Sequence, residues 1–257
     1  ADAKISGYNT LMTAEVDVNS SINVGQANAN LTQDLFREFK WSDSAGTLVP
    51  VAFPGIFPDL TRYQAEVEQA KVNQGRQPWK LSATLTAQAL AASQSLLKWN
   101  PNAPATVVSG GGNHDINAVV KVKSTSPGGG TIIVTMSRLE QNSNGGIWEA
   151  TSVTTDGMSI TVPQDRDRLT SPVTVKGTGN AFEGKIGKVF VLDHLYTDIG
   201  HNDANGASGN GSTTFSSSVT YNSTFKSGIQ EGVVALYSYS NADSSIAGAV
   251  MVKEMLG

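Results

Sequence analysis

The sequence predicts an α+β region followed by an all-β sandwich, and three observations carry that expectation. Apolar residues recur at helical spacing between about residues 60 and 98. They switch to a two-residue period from Ile116 onward. Beyond a Pro-bounded polar stretch at 163–170, only strand and turn signals remain. The expected organisation is an N-terminal extended segment 1–29, an α+β domain 30–162, a linker 163–170 and a β-sandwich 171–257.

The first element is an alternating stretch. Met12, Ala14, Val16, Val18, Ile22 and Val24 are interleaved with Thr13, Glu15, Asp17, Asn19, Ser21 and Asn23, and only Ser20 interrupts the apolar set. Period two predicts a strand over 12–24 with one buried face, about 43 Å long at about 3.3 Å per residue. Leu31, Leu35 and Phe39 then recur at i+4, which predicts a helix over 30–41 with Asn30 as its N-cap. The Pro-rich connection 50–58 is expected to lie over a core.

A second helix starts at Thr61, where Gln64 three residues on completes a capping box. Tyr63, Val67 and Ala70 supply its expected apolar face and Gly75 its stop. Gln77-Pro78-Trp79 breaks the chain, and a third helix is expected from Ser82 to about Lys98. From Ile116 the chain reads as a three-stranded antiparallel meander. Ile116, Ala118, Val120 and Val122 alternate, as do Ile132, Val134 and Met136, and residues 147–153 close it. Asn144-Gly145 offers a type I′ turn. After the linker, strands are expected at 172–177, 185–193, 213–221, 232–239 and 247–255, with a mobile Gly/Asn loop at 201–212. That density of short strands suits a β-sandwich.

Composition narrows the functional classes. Of 257 residues 39% are apolar and only 16% charged, against about 25% charged in an ordinary soluble domain. A net charge of −4 with no basic stripe argues against nucleic acid. The absence of cysteine excludes disulfides, thiolate metal sites, a Cys nucleophile and a lipidated N-terminal cysteine in the sequence as it stands. No apolar run approaches the roughly 18 residues of a transmembrane segment. The opening Ala1-Asp2-Ala3-Lys4 is what cleavage of a signal peptide at a small-residue site leaves, so an exported bacterial protein is expected, extracellular or at the cell surface.

The stretch 171–179, Ser-Pro-Val-Thr-Val-Lys-Gly-Thr-Gly, followed by Ala181-Phe182-Glu183-Gly184, resembles the bacterial spore-germination immunoglobulin-like domain family. Residues 214–221 and 232–240 continue the pattern, so the resemblance covers about 165–257. It departs from the family where Asp-Gly turns are usual, since those places read Asp193-His194-Leu195 and Asn241-Ala242-Asp243. Gln77-Pro78-Trp79 and Gly145-Gly146-Ile147-Trp148 resemble the partner domain that precedes such modules in exported Firmicute-type proteins. The resemblance implies an immunoglobulin-like sandwich associated with the cell envelope, and no enzymatic activity.

The residues themselves offer little chemistry. His114, His194 and His201 fall in no His-Glu-x-x-His spacing, no Gly-x-Ser-x-Gly elbow occurs, and the glycines at 110–112 lack the Lys-Ser/Thr of a phosphate loop. No catalytic residue and no cofactor is therefore expected. Asp165 and Asp167 could offer oxygen ligands to Ca²⁺, but Arg166 and Arg168 between them favour a solvated linker. Asp193, His194, Asp198, His201 and Asp203 match no ligand motif and read as a polar loop, so no metal site is expected. Trp41, Trp79, Trp99 and Trp148 each lie beside an apolar element and read as core rather than as carbohydrate platforms. Sequons at Asn19, Asn30, Asn210 and Asn222 carry meaning only in a eukaryotic secretory route.

Two functions follow. The first is a structural surface protein, a self-assembling filament or surface-layer subunit whose assembly strand (Met12, Ala14, Val16, Val18, Ile22, Val24) pairs with a neighbour's sheet. The competing use of that strand is pairing within its own domain, with the meander at 116–153. The second function is a monomeric envelope-associated module that recognises a glycan or a surface protein through loops of the sandwich.

Overall fold

The computed structural model describes residues 2–141, 145–225 and 228–257. Strands β1 (Asp2–Ile5), β2 (Leu11–Glu15), β3 (Leu35–Ser42) and β4 (Thr47–Val51) form an antiparallel N-terminal sheet in chain order. Helix α1 (Arg62–Asn73), a 3₁₀ turn (Pro78–Leu81) and helix α2 (Ala83–Ala92) follow. Next come β5 (Ala105–Gly110), β6 (Asn117–Lys123), β7 (Thr131–Ser137) and β8 (Glu149–Thr154), paired antiparallel in sequence. The remainder is β9 (Ser159–Val162), β10 (Arg168–Leu169), β11 (Val173–Ala181), β12 (Lys185–Leu192), β13 (Asp198–Asn205), β14 (Gly211–Val219), β15 (Gln230–Tyr239) and β16 (Ile246–Leu256).

The sandwich is present. A small sheet, β14-β11-β9, packs against β13-β12-β15-β16 around Val175, Val189, Val191, Phe215, Val234, Leu236 and Val250. It is not a separate unit. β16 runs antiparallel to β8, with Met251 opposite Val153, so one nine-stranded sheet continues from β13 to β5 across the stretch expected to divide the chain. The cause lies in β15 and β16. Val234 and Leu236 face the sandwich core, while Val233, Ala235, Tyr237, Ala249 and Met251 face a second core. Ala87, Leu90 and Trp148 complete that second core. A strand apolar on both faces needs cover on both. Residues 163–170 therefore do not link two bodies. They lie along β16: Arg166 N donates to Lys253 O at 2.7 Å, Met255 N donates to Asp167 O at 2.9 Å, and β10 pairs with β16 in parallel.

Several expected elements are corrected. The assembly strand ends at Glu15, and β2 lies between β1 and β3 with both edges paired. Met12 and Ala14 are buried as expected, but Val16, Val18, Ile22 and Val24 are exposed, while Asp17, Ser20 and Asn23 are buried. The polar residues win because they satisfy backbone. Asp17 Oδ1 accepts from Asn19 N (3.0 Å), and Asn23 Nδ2 donates to Asp17 O (3.1 Å) and Thr32 O (2.9 Å). The helix expected over 30–41 is mostly strand β3, since β2 and β4 supply its ladder and Phe36, Phe39 and Trp41 favour a sheet.

In α1 the capping box at Thr61 and Gln64 forms as expected. The buried face is Ala65, Gln69 and Val72 rather than Tyr63, Val67 and Ala70. Gln69 turns inward because its amide accepts from Ile147 N (2.9 Å) and donates to Gly145 O (2.7 Å). α2 stops at Ala92, well short of Lys98. The meander gains a fourth strand, β5, whose bulge between Val107 and Ser109 and exposed side chains hide it from a periodicity test. The loop expected over 201–212 is mostly strand, leaving only residues 206–210 between β13 and β14. The Asn144-Gly145 turn lies partly outside the described residues.

Glu254 on β16 has no exposed surface, and neither carboxylate oxygen receives a hydrogen bond among the described residues. Burial, then the nearby Asp167 and Asp165 charges, pushes its pKa up to about 9. A carboxyl whose folded pKa is raised stabilises the fold below its unfolded pKa, and that contribution fades as pH climbs toward 9. Glu254→Gln is expected to leave the melting temperature at pH 5 nearly unchanged and to raise it by several degrees at pH 8.5. Calorimetry at the two pH values checks this, and equal shifts at both would contradict it.

Candidate functional site

The sequence-nominated polar residues do not converge. Asp167 Oδ2 accepts from Gln164 N (2.8 Å), and the exposed Asp165 pairs with Arg166 (2.8 Å). Asp193 is buried and caps its own turn, its Oδ1 accepting from Leu195 N and Thr197 N (both 2.8 Å). His194 points inward, 3.7 Å from Asp34, whereas His201 sits outside against Asp198 (2.8 Å) and Asp203 lies 3.9 Å from Lys188. No group of three or more metal-ligating side chains occurs among the described residues. Trp99 and Trp148 are core residues, but Trp41 is exposed, contrary to expectation.

Two arrangements that the sequence reading missed carry the chemistry. The first is interior. Lys253 has no exposed surface, and its ammonium donates to Glu231 (2.7 Å), to Gly55 O (2.9 Å) and to Leu60 O. Glu231 also accepts from Phe53 N at 2.9 Å. Burial pushes the Glu231 carboxyl up to about 7, against the pull of Lys253, and burial likewise lowers the Lys253 pKa. Nearby, Lys80 lies 3.0 Å from Asp59 and 3.1 Å from Glu68, and Arg62 bridges Glu38 (2.9 Å) and Glu140 (3.0 Å). Lys253 thus fastens residues 53–62 to the large sheet, and the other pairs tie Asp59 and Arg62 to the 3₁₀ turn, to β3 and to the segment after β7. The legible signal was Lys253-Glu254 inside the apolar run 249–256, an odd place for a lysine unless it is paired.

The second arrangement is open. A cleft of about 510 Å³ lies between the turn after α2 (residues 94–99) and the outer face of β12 and β15. Its floor is an aromatic row. The Phe190 ring sits 5.3 Å from His201 and 5.4 Å from Tyr237, and Tyr239 stands exposed at the end. Register places the row there, because Phe190 pairs with His201 across β13 and Lys188 with Tyr237 across β15. Asp198 lines the same cleft. Trp99 Nε1 donates to Ile246 O at 2.7 Å and fixes the opposite wall. The Tyr237 hydroxyl is buried and has no hydrogen-bond partner among the described residues. Its ionisation is disfavoured by burial, then by Tyr239. A larger groove of about 710 Å³ beside β8, β9 and β16 has no aromatic ring in its lining.

The strands that frame this cleft are also those that a family comparison recognises. Residues 158–245 match the immunoglobulin-like domain of bacterial spore germination. No curated protein and no solved structure matches the chain. The immunoglobulin-like domain thus begins before Pro163, so that β9 belongs to it, as its pairing with β11 requires. The match ends at Ser245, although β16 is hydrogen-bonded along the whole of β15. It does not reach residues 77–148, where the sequence suggested a partner domain. Within the immunoglobulin-like domain the aromatic row faces outward from the sandwich, toward the N-terminal part of the chain. No helix among the described residues is long and apolar enough to cross a membrane.

Replacing Lys253 with Met leaves the Glu231 carboxyl buried without its partner and releases the Gly55 and Leu60 carbonyls. The expected loss of stability is about 3–5 kcal/mol, read from the urea midpoint. Adding Glu231→Leu should recover much of it. A single variant as stable as the parent would mean that the ammonium does not hold the 53–62 segment.

Proposed function

We propose that this protein is an exported, non-catalytic cell-envelope module that binds a glycan in the aromatic cleft of its immunoglobulin-like domain. The observation that carries the reading is the row Phe190, Tyr237 and Tyr239 beside Asp198 along the cleft, with His201 packed against Phe190. Sugar rings present axial C–H groups to aromatic faces and pairs of hydroxyls to a carboxylate. A cleft of about 510 Å³ suits one or two sugar rings. The neutral polar, lightly charged surface supports export, as does the kind of domain matched.

Assembly by strand donation has weaker support. It rested on a free strand at 12–24, and β2 is already paired on both sides.

The test is co-sedimentation with purified bacterial cell-wall polysaccharide, followed by isothermal titration calorimetry with soluble fragments. Tyr239→Ala and Asp198→Asn should each weaken binding about tenfold, the equivalent of about 1.4 kcal/mol, without lowering the melting temperature. Binding that survives both substitutions, or no binding by the parent protein, would remove the proposal.

A further inference from the structure

A second buried cluster has the composition of a reaction centre rather than of a plain ion pair. Lys80 Nζ lies 3.0 Å from Asp59 Oδ2, and the two side chains expose only 4% and 9% of their surface. Glu149 has no exposed surface, and its Oε2 accepts from Asp59 N at 3.3 Å. The other Glu149 oxygen, Oε1, receives no N–H or hydroxyl hydrogen among the described residues. Glu149 and Asp59 thus bring two buried carboxyls together, and each raises the cost of ionising the pair. Glu68 Oε2 holds the same Nζ from the more exposed side at 3.1 Å and is itself shared with Lys71. Trp148, whose N donates to Lys80 O (2.8 Å), and Tyr196, whose hydroxyl donates to Ile56 O (2.8 Å), help close the site.

We propose that Lys80 and Asp59 condense into an intramolecular amide, with Glu149 moving the proton. The uncharged Lys80 Nζ attacks Asp59 Cγ, and the new C–N bond forms as the carbonyl opens. The neutral Glu149 carboxyl gives its proton to an Asp59 oxygen and takes one back from the nitrogen. The C–O bond then breaks, and one water leaves. A carboxyl and an amine become an amide and water, and nothing is oxidised or reduced. The geometry is that of an intramolecular reaction held at contact distance, and a buried acid–base, Glu149, is tied to the reacting residue through the Asp59 backbone N–H.

For the two carboxyls the electrostatics run the same way. Burial, then the Asp59 charge, raises the Glu149 carboxyl well above the usual range, and burial raises that of Asp59. Both shifts favour the neutral acids that condensation needs. The chain has no cysteine, so an amide is a covalent staple open to it where a disulfide is not. The link would bracket α1 and fix the 53–62 segment at its far end. The neighbouring pair Lys253–Glu231 serves as an internal control. Its ammonium also donates to two backbone carbonyls, whereas among the described residues the hydrogen bonds of Lys80 Nζ go to carboxylates alone.

Intact-mass spectrometry of the full chain tests the proposal, with peptide mapping to locate any link. The parent protein should weigh one water less than its sequence and yield a branched peptide joining residues 59 and 80. Lys80→Arg and the isosteric Glu149→Gln should both regain the full mass while keeping the parent's circular dichroism. A parent protein at full mass overturns the proposal. So does a water loss that maps elsewhere, to a succinimide or to Lys253–Glu231. A Glu149→Gln chain that still forms the 59–80 link would remove Glu149 from the reaction.

Discussion

Strand Gln230–Tyr239 has no solvent side over most of its length, and the rest of the architecture answers to that constraint. Its even-numbered residues, Val234 and Leu236, fill the sandwich, and its odd-numbered residues, Val233, Ala235 and Tyr237, fill a second core built by the preceding part of the chain. Fully burying one Val or Leu side chain is worth about 1.5–3 kcal/mol, so leaving either face uncovered would cost several such terms. The immunoglobulin-like domain is thus only half of the structure that its own central strands require. The lysine on β16 shows the same dependence from the polar side. Lys253 can be buried only because the 53–62 segment arrives with two carbonyls for its ammonium and a backbone N–H for its partner Glu231.

This dependence also places the open cleft. The outer face of the immunoglobulin-like sheet is covered by residues 53–60 and by the turn after α2, and the cover leaves Phe190 half-buried and Tyr239 exposed. Aromatic side chains that would otherwise be core residues therefore line a concave surface. Rigid strands hold that row on one side, and a turn pinned by the Trp99 indole bond holds the other. A site of this kind lies between two covering elements, which is why neither the loops of the sandwich nor the strands alone disclose it.

What the sequence disclosed follows the strength of local signals. The capping box at Thr61, the alternation of β6 and β7 and the apolar runs of β12, β15 and β16 are local and were legible. The 12–24 stretch misled because two readings share one pattern. Alternating valines look the same whether the polar partners face water or, like Asp17, Ser20 and Asn23, turn inward to bind backbone. The 30–41 stretch misled because i+4 spacing is also i, i+2, i+4 on a strand, and pairing with β2 and β4 decided between them. The polar stretch 163–170 resembled a linker because nothing local reveals that its backbone bonds go to β16. The buried Lys80, Asp59 and Glu149 come from three segments far apart in sequence, and only tertiary structure brings them together.

The most direct measurement of whether the two parts are one cooperative body is the coincidence of their unfolding. All four tryptophans, at 41, 79, 99 and 148, precede the immunoglobulin-like domain, so tryptophan fluorescence reports the first part and the core it shares with β15 and β16. Hydrogen exchange of peptides from β11 and β14 reports the far sheet of the sandwich. Across a urea series the account predicts a single midpoint for both signals. Persistent protection of β11 and β14 after the tryptophan transition is complete would contradict it.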